Sequence, residues 1–315
     1  MPDGMLRVTR VLAPNASVYT LEGTNTWVVG DDPSIVIDPG PDDDDHLTEV
    51  ARAAGRVGAV LLTHDHPDHA PGALPFAERA GAPLYAFRLE GSEHPRDGQR
   101  LHVGAVDVVM YHTPGHTSDS MAFHVPASSA LFTGDTVVGR GTSFIDPPDG
   151  DLVRYLRSLR RMLDLAPRTI YPGHGPVALQ GQATLRGYIE HRAQREEQVL
   201  ASLADGSHTV PELVTAIYPD HPPEVHELAG RSVLAHLLKL ESEGRAERKG
   251  RGDAGTWALS TPRTCNRCGK PVRGRARYCG TCSLVMLQEG AAHEAPASEP
   301  GASEPGASAP GTSEG

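Results

Sequence analysis

Residues 64–69 read His-Asp-His-Pro-Asp-His, and this string constrains the chain more than any other part of its 315 residues. It places three imidazoles and two carboxylates directly after the apolar run 60–62. Imidazole nitrogen and carboxylate oxygen are the ligands that zinc takes at catalytic sites with an open position. The alternative is a polar turn that contains histidines by chance. The pattern favours a buried strand followed by a metal-binding loop.

Three further candidate ligands follow apolar stretches and lie in turns rich in glycine or proline. They are His116 after 108–111, Asp135 after 130–132 and His174 after 169–171. A rigid sheet can direct loop residues from several strand ends towards one point. Glycine lets the backbone approach a crowded centre closely. We therefore expect these three side chains to meet those of residues 64–69.

The combined set resembles the complete ligand set of the metallo-β-lactamase superfamily. Within it, the chain resembles the branch typified by beta-lactamase-like protein 2, a zinc-dependent endoribonuclease. Residues 21–26, 139–142 and 170–177 carry the likeness to that branch. The resemblance implies an α/β fold, a metallo-β-lactamase-like αββα sandwich. Alternating strand runs and helices in the sequence indicate only the α/β class.

The resemblance also implies a role for each residue. The first zinc ion would be held by His64, His66 and His116, and the second by Asp68, His69 and His174. Asp135 would bridge the two ions, so that Asp68 and Asp135 are the catalytic carboxylates. Two zinc ions ~3.5–4 Å apart can share a hydroxide, and the resemblance implies that this hydroxide is the nucleophile. Asp38 either orients a ligand histidine or is a turn residue that ends a strand.

Four cysteines lie near the C-terminal end of the sequence. Cys265 and Cys268 form one C-x2-C pair, Cys279 and Cys282 form another, and ten residues separate the pairs. Two such pairs are typical of a structural zinc ion with four thiolate ligands, particularly in a reducing compartment. Two disulfides are the alternative. The spacing favours a small zinc ribbon, which brings the predicted metal content to two catalytic ions and one structural ion.

The pattern of helices and turns divides the chain into four parts. We predict a catalytic domain at 1–204, a winged-helix-like domain at 205–260, a zinc ribbon at 261–288 and a disordered tail at 289–315. The second part is predicted from helices at 211–218, 224–229 and 231–243 that precede a β-hairpin. The tail repeats Ala, Ser, Glu, Pro and Gly with almost no apolar content. Within the first part, 101–112 is expected to form one strand.

Charge is distributed unevenly along the chain. The net charge is −11, yet residues 244–278 contain ten Lys or Arg against two acidic residues, which gives +8. A local basic segment is typical of proteins that bind a phosphate backbone, and a solvated surface is the alternative. No window of the sequence approaches the roughly 18 apolar residues of a membrane span. Without a secretory signal pattern, we expect a cytoplasmic protein that does not associate with membranes.

These features leave three functional hypotheses. The first is a binuclear zinc phosphodiesterase, an endoribonuclease on single-stranded RNA that binds it through 244–278. The second is a small-molecule hydrolase such as a glyoxalase-II-like thioesterase, because the fold does not select the substrate. The third is a nucleic-acid-binding protein with a relict hydrolase domain. The complete set of seven ligands argues against the third, because an unused site is expected to lose some of them.

Overall fold

The computed structural model describes residues 6–220, 226–250, 255–261, 263–272, 279 and 281–283. The chain divides into one compact unit at 1–260 and another at 261–315. In the part of the chain that is described, no helix is both long enough and apolar enough to cross a lipid bilayer. The predicted tail at 289–315 lies outside the described residues.

Two five-stranded sheets form the centre of the first unit. The first sheet has the order β1 (Val8–Leu12), β2 (Asn25–Val29), β3 (Ser34–Ile37), β4 (Val57–Leu61) and β5 (Leu84–Tyr85). The second has β6 (Gln99–Val103), β7 (Val106–His112), β8 (Met121–Val125), β9 (Ala130–Gly134) and β10 (Thr169–Pro172), in sequential order across the sheet. Pairings β3–β4, β4–β5 and β9–β10 are parallel, and the others are antiparallel.

Alternation of side chains along the strands builds the layers. In β3, Ile35 and Ile37 face the second sheet, whereas Val36 faces the opposite side. Such alternation is the period of a strand, and it gives the sheet two apolar faces. The inner faces pack together around large buried side chains such as Phe123 and Phe132. This inner layer fixes the positions of the strand ends.

Helices cover the outer faces of both sheets. The first sheet is covered by α1 (Asp44–Ala54) and α2 (Ala73–Ala80), and the second by α3 (Leu152–Asp164) and α4 (Gly181–Ser202). Asp151 caps α3 by accepting a hydrogen bond from the Arg154 backbone N–H at 2.9 Å. The four layers form the αββα sandwich, which confirms the predicted fold class.

The segment predicted as one strand at 101–112 is two strands, β6 and β7. Gly104 lies between them with φ of +56°, and this left-handed conformation allows the tight turn. The two strands pair antiparallel from Gln99 opposite Met110 to Val103 opposite Val106. The prediction of a single strand was therefore wrong, because it did not recognise the turn at Gly104.

A helical unit with a hairpin follows α4. It consists of α5 (Val210–Ile217), α6 (His226–Ser242) and the antiparallel hairpin β11 (Ala246–Lys249) with β12 (Thr256–Leu259). Its apolar core contains Leu213, Leu237 and Trp257, and also Val199 from the end of α4. The arrangement is winged-helix-like, and the end of α4 supplies its third helix. The predicted boundary between residues 204 and 205 stays a prediction.

The helices predicted at 224–229 and 231–243 are one continuous helix, α6. Gly230, the residue between the two predicted helices, lies inside α6. A Cβ atom at Gly230 would lie 3.6 Å from Val210 and 3.8 Å from Val214. The glycine thus lies against α5, and helix packing outweighs the low helix propensity of glycine. Thr209 caps α5, which begins at Val210, one residue before the predicted start at 211.

In the second unit, β13 (Arg263–Thr264) and β14 (Pro271–Val272) form a short antiparallel hairpin. The turn between them is closed by a hydrogen bond from the Cys265 backbone N–H to Lys270 O at 2.7 Å. Gly269, with φ of +71°, donates its N–H to Cys265 O. The hairpin brings the first C-x2-C pair into a compact turn.

Candidate metal centre

Each of the seven predicted ligands lies in a loop that directly follows a strand. The string at 64–69 follows β4, His116 follows β7, Asp135 follows β9 and His174 follows β10. The loops meet at one edge of the sandwich. The structure brings all seven side chains into two adjacent groups that share Asp135. Their function as metal ligands is our proposal, and it rests on the geometry that follows.

The first group consists of His64, His66, His116 and Asp135, whose candidate ligand atoms lie within 4.8 Å of one another. His66 Nδ1 lies 3.0 Å from His64 Nε2 and 3.2 Å from His116 Nε2. Three imidazole nitrogens therefore converge on one point. This is the arrangement that a tetrahedral metal with three histidine ligands requires.

The second group consists of Asp68, His69, Asp135 and His174, also within 4.8 Å of one another. His174 Nε2 lies 3.0 Å from Asp68 Oδ2, 3.2 Å from Asp135 Oδ2 and 3.2 Å from His69 Nε2. His69 and His174 are almost fully buried, so these contacts lie within the protein. Asp135 belongs to both groups and is placed to bridge them.

Outward ring nitrogens are held by acceptors of the protein. His69 Nδ1 donates to Asp38 Oδ2 at 3.0 Å, His116 Nδ1 to Phe144 O at 2.7 Å, and His174 Nδ1 to Gly23 O at 3.2 Å. Because each Nδ1 carries its hydrogen outward, each Nε2 presents a lone pair to the centre. Such outer hydrogen bonds orient metal-binding histidines and select the tautomer.

Asp38 has a larger role than a turn residue. It is 1% exposed, and its carboxylate accepts hydrogen bonds from Thr63 N and Thr63 Oγ1, both at 2.7 Å, as well as from His69. Its φ of +50° directs the side chain under the loop that contains the ligands. Asp38 therefore both ends β3 and orients His69, and the role of His69 as a metal ligand stays a prediction.

Electrostatics at the centre favour positive charge. Burial, followed by neighbouring imidazoles, lowers the pKa of His64 well below its usual value. Burial opposes charge on His69 and His174 too, but adjacent carboxylates prevail and raise the pKa of His174 to about 9. The imidazoles of His174 and His69 outweigh burial and hold the pKa of Asp135 well below its usual range. A divalent cation can replace the protons that these carboxylates attract.

The three stretches that carry the branch resemblance meet around His174. Asn25 donates its backbone N–H to Gly173 O at 2.7 Å and its side-chain amide to Pro172 O and Gly175 O. Gly139 N donates to His174 O at 2.8 Å. These stretches therefore share a structural purpose, because together they fix one ligand of the second group.

The donor set fits a pair of divalent metal ions. Asp135 Oδ1 is buried and has no hydrogen-bond partner among the described residues. Gly173 lies so close that a Cβ atom there would collide with Asp135 Oδ1 and lie 2.8 Å from His69 Cε1. An unpaired buried carboxylate oxygen that faces converging lone pairs is costly unless a cation binds there. His and Asp donors suit zinc, manganese or iron.

All four cysteines are unpaired, and their sulfur atoms lie within 4.8 Å of one another. Cys268 Sγ lies 3.6 Å from Cys279 Sγ, far from bonding distance. A tetrahedral centre with metal–sulfur bonds of ~2.3 Å separates two sulfurs by roughly 3.8 Å. The cluster can therefore bind a structural metal, and it does not contain the two disulfides of the alternative hypothesis.

A cleft of about 710 Å³ lies over the two groups. His66, Asp68, His116 and Asp135 form its floor, and Tyr19, Phe144 and Leu228 are among its walls. Leu228 belongs to α6, so the winged-helix-like unit contributes to the mouth of the cleft. A bound molecule in this cleft lies directly over the candidate metal ligands.

Sequence reasoning missed two residues that support the centre. Asp119 is 2% exposed and accepts the backbone N–H of Asp65 at 3.0 Å, which fixes the loop at 64–69. Arg192 is 3% exposed and donates a hydrogen bond to Ser143 O, beside His116. Asp119 lies near His116 in sequence and offered a weak signal. Arg192 lies in a long polar helix and offered none.

Comparisons with known proteins agree with this geometry. The model of the metallo-beta-lactamase superfamily matches residues 19–174. Beta-lactamase-like protein 2 homolog of Drosophila melanogaster is 31% identical over 264 residues, which cover 76% of this chain and 89% of that protein. This chain belongs to the metallo-β-lactamase superfamily. As a superfamily member with an intact His/Asp site, it is a hydrolase, and its winged-helix unit matches the beta-lactamase associated winged helix domain at 209–257.

Other superfamily members show how widely this architecture is used. An atrochrysone carboxyl ACP thioesterase of Aspergillus terreus is 36% identical over 233 residues, which cover 67% of this chain and 72% of the thioesterase. A beta-lactamase domain protein from Burkholderia ambifaria has a TM-score of 0.69 at 21% identity, covering 81% of this chain and 91% of that chain. The structural likeness shows the shared fold alone.

Proposed function

We propose that this superfamily member is a binuclear zinc hydrolase that cleaves phosphodiester bonds in single-stranded RNA. To the hydrolase activity of the superfamily we add zinc as the metal, two ions as the stoichiometry and single-stranded RNA as the substrate class. Two ions bound by the seven side chains would supply Lewis acidity and an activated water.

The observation that best supports RNA as the substrate is a pair of exposed aromatic rings at the cleft. Tyr19 is 59% exposed and Phe144 is 39% exposed, with ring centroids 6.1 Å apart at an interplanar angle of 63°. Both line the cleft over the metal ligands. Proteins that bind single-stranded nucleic acid commonly stack bases on exposed aromatic side chains. We infer that bases that flank the scissile phosphate contact Tyr19 and Phe144.

The chain would position the reacting groups through rigid supports. Asp38 holds His69, and the Phe144 carbonyl holds His116. Phe144, whose ring would contact a base, therefore also orients a candidate metal ligand. Preorganised ligands of this kind need little rearrangement during reaction. The basic segment at 244–278 supports the same partner, although 251–254, 262 and 273–278 within it lie outside the described residues.

A second candidate function is hydrolysis of a thioester. It is favoured by the fungal relatives named as ACP thioesterases and by the apolar side chains at the mouth of the cleft. Val18 is 78% exposed next to Tyr19, so an acyl chain would also find apolar contacts there. A non-catalytic role is the weakest hypothesis, because all seven ligand side chains converge.

Parallel assays with metal-loaded full-length protein separate the two enzymatic candidates. One assay follows cleavage of a fluorescent, unstructured RNA, and the other follows turnover of S-lactoylglutathione and of an acyl-carrier thioester. We expect RNA cleavage that falls with Tyr19→Ala through a raised KM. Steady thioester turnover without RNA cleavage, by protein whose zinc content is complete, would contradict the proposal.

The control variant for Tyr19→Ala is Leu179→Ala. Leu179 is 75% exposed but does not line the described cleft. Its substitution removes a comparable exposed apolar side chain, so KM should not change. Equal effects of the two substitutions would show that stacking at Tyr19 is not involved.

A further inference from the structure

A second cavity, of about 380 Å³, opens from the metal centre on the side of α4. His116 and Asp135 line both this cavity and the cleft described above. We call it the arginine cavity, and it is defined by Arg140, His191, Arg192 and Arg195. Because both cavities share candidate metal ligands, one bound substrate can extend into both.

Positive charge dominates the arginine cavity. Asp135 is the single carboxylate in its described lining, and that residue belongs to the metal centre. Arg140 forms an ion pair with Glu22, which offsets its charge. Within the described part of the chain, neither Arg192 nor Arg195 has a carboxylate at ion-pair distance. The positive charge of these two guanidinium groups is therefore not offset by a described carboxylate.

Burial makes the lack of a counter-charge significant. Arg192 is 3% exposed and donates to Thr142 Oγ1 at 3.0 Å and to Ser232 Oγ at 3.3 Å, which are neutral partners. The Arg195 guanidinium lies 4.0 Å from the centroid of the Tyr218 ring. In both arginines, Nε is buried without a described hydrogen-bond partner. A buried guanidinium is costly unless a charged partner offsets its desolvation.

Two neighbouring histidines respond to this positive charge. Burial, followed by the charges of Arg192 and Lys239, lowers the pKa of His236 to about 3. Burial, together with Arg192 and Arg195, also lowers the pKa of His191. Both imidazoles therefore remain neutral near pH 7. The charge of the cavity resides on its arginines and is independent of pH in the physiological range.

Only a short segment separates the arginines from the metal centre. Arg192 donates to Ser143 O, and Ser143 Oγ lies 3.3 Å from His116 Nδ1. The next carbonyl, of Phe144, accepts the hydrogen bond from the same ring nitrogen. A group bound at the arginines thus lies next to the support of a candidate metal ligand. Arg192 is also a positioning residue, whereas Arg195 makes no such contact.

We propose that the arginine cavity binds a phosphate group that flanks the scissile phosphodiester of the RNA, with Arg195 as its main contact. The inference rests on the proposed phosphodiesterase function and adds a subsite to it. Guanidinium groups suit this task because their planar fork can donate two hydrogen bonds to one phosphate. Tyr19 and Phe144 would contact bases while the arginine cavity holds the backbone.

Calorimetric titration of metal-loaded full-length protein with inorganic phosphate tests the subsite without using activity. We expect Arg195→Gln to weaken phosphate binding by about tenfold, as loss of a charge-assisted contact does. Arg195→Lys should give an intermediate loss. The control is Arg186→Gln on the same helix, where the exposed side chain contacts Gln182 at 3.2 Å and does not line the cavity. Thermal melting checks that each variant is folded.

The source of the phosphate is distinguished by three further probes. Uridine 3′-monophosphate or 5′-monophosphate should bind the wild type more tightly than Arg195→Gln, whereas uridine should not discriminate between them. Equal affinity of the wild type and Arg195→Gln for every phosphate probe would overturn the proposal. Discrimination by 4′-phosphopantetheine alone would overturn the assignment to RNA.

These results separate the subsite from the proposed function. If the protein cleaves RNA but Arg195→Gln does not change phosphate affinity, the proposed subsite is contradicted and the phosphodiesterase function is still supported. Phosphate binding that depends on Arg195, in a protein that cleaves no RNA, supports an anion subsite and removes the RNA substrate. An equal loss in Arg186→Gln and Arg195→Gln would contradict a local site and indicate a general charge effect.

Discussion

The two candidate metal-binding clusters of this chain are built in different ways. The seven His and Asp side chains span residues 64–174 and come from four strand ends of a large sandwich. The four cysteines span only residues 265–282 and are supported, among the described residues, by two strands of two residues each. The first cluster has a folded body beneath it. The second has a short hairpin and a turn.

This contrast indicates which cluster needs its metal in order to fold. Asp38, Phe144 O and Gly23 O hold the ligand histidines of the sandwich through hydrogen bonds that the folded body provides. Among the residues of the second unit whose burial is described, Cys265 and Cys282 are the buried apolar ones. Small metal-binding modules of this size are commonly unfolded without metal. The metal is thus expected to complete one site and to create the other.

The largest expected effect is the response to chelation. Removing all metal should unfold the cysteine cluster and leave the sandwich folded, because structural zinc contributes ~10–16 kcal/mol to the folding of comparable peptides. Amide resonances of Cys265 and Cys282 should lose their dispersion, whereas those of buried Phe123 and Phe132 should keep it. Retained dispersion in both regions after complete metal removal would remove the contrast.

The next effect separates the clusters by activity. Asp68→Ala removes a candidate metal ligand of the sandwich centre, and we expect hydrolysis to fall at least about 100-fold, beyond the range for outer supports. Cys268→Ser should remove metal from the cysteine cluster and leave the hydrolysis of a small substrate little changed. Metal content and initial rates, measured on the same samples, check both statements. A similar loss of rate in the two variants would contradict separate roles.

A smaller effect is expected from the support of one ligand. Asp38→Asn keeps an acceptor for Thr63 but loses the charge that holds His69, so metal affinity at the second group should fall about 10- to 100-fold. Competition with a chromogenic chelator measures that affinity. Asp65→Asn is the matched control, because this exposed aspartate lies in the 64–69 segment that contains His69. Equal losses in both variants would mean that only net charge matters.

The smallest expected effect is the pH dependence of the folding stability of the first unit. His236 has a folded pKa of about 3 because of burial and nearby cations, against 6.5 when unfolded. Below pH 6.5 the unfolded chain binds a proton that the folded chain excludes. Stability should therefore fall by about 1.4 kcal/mol per pH unit between pH 6.5 and 3. Urea unfolding at pH 6.5 and 5.5 should show this slope in the wild type and a reduced slope in His236→Leu.

The residue pattern was sufficient to predict the α/β class and to nominate the centre, because strand ends with clustered His and Asp are local signals. The sandwich itself was predicted from the family resemblance. The residue pattern was not sufficient for Gly104 or Gly230, where one glycine makes a turn and the other continues a helix. The difference lies in tertiary packing, since Gly230 faces Val210 and Val214 on α5. Arg192 was missed for the same reason. Its partners Ser143 and Ser232 are distant in sequence, so no local pattern identifies them.

The most direct test of the central claim is anomalous diffraction from crystals of the metal-loaded protein, recorded at the zinc absorption edge. We expect two peaks ~3.5–4 Å apart in the sandwich. One should lie next to His64, His66 and His116, and the other next to Asp68, His69 and His174. Asp135 should lie between them. A single peak, or none, in protein whose zinc content is complete would contradict a binuclear centre.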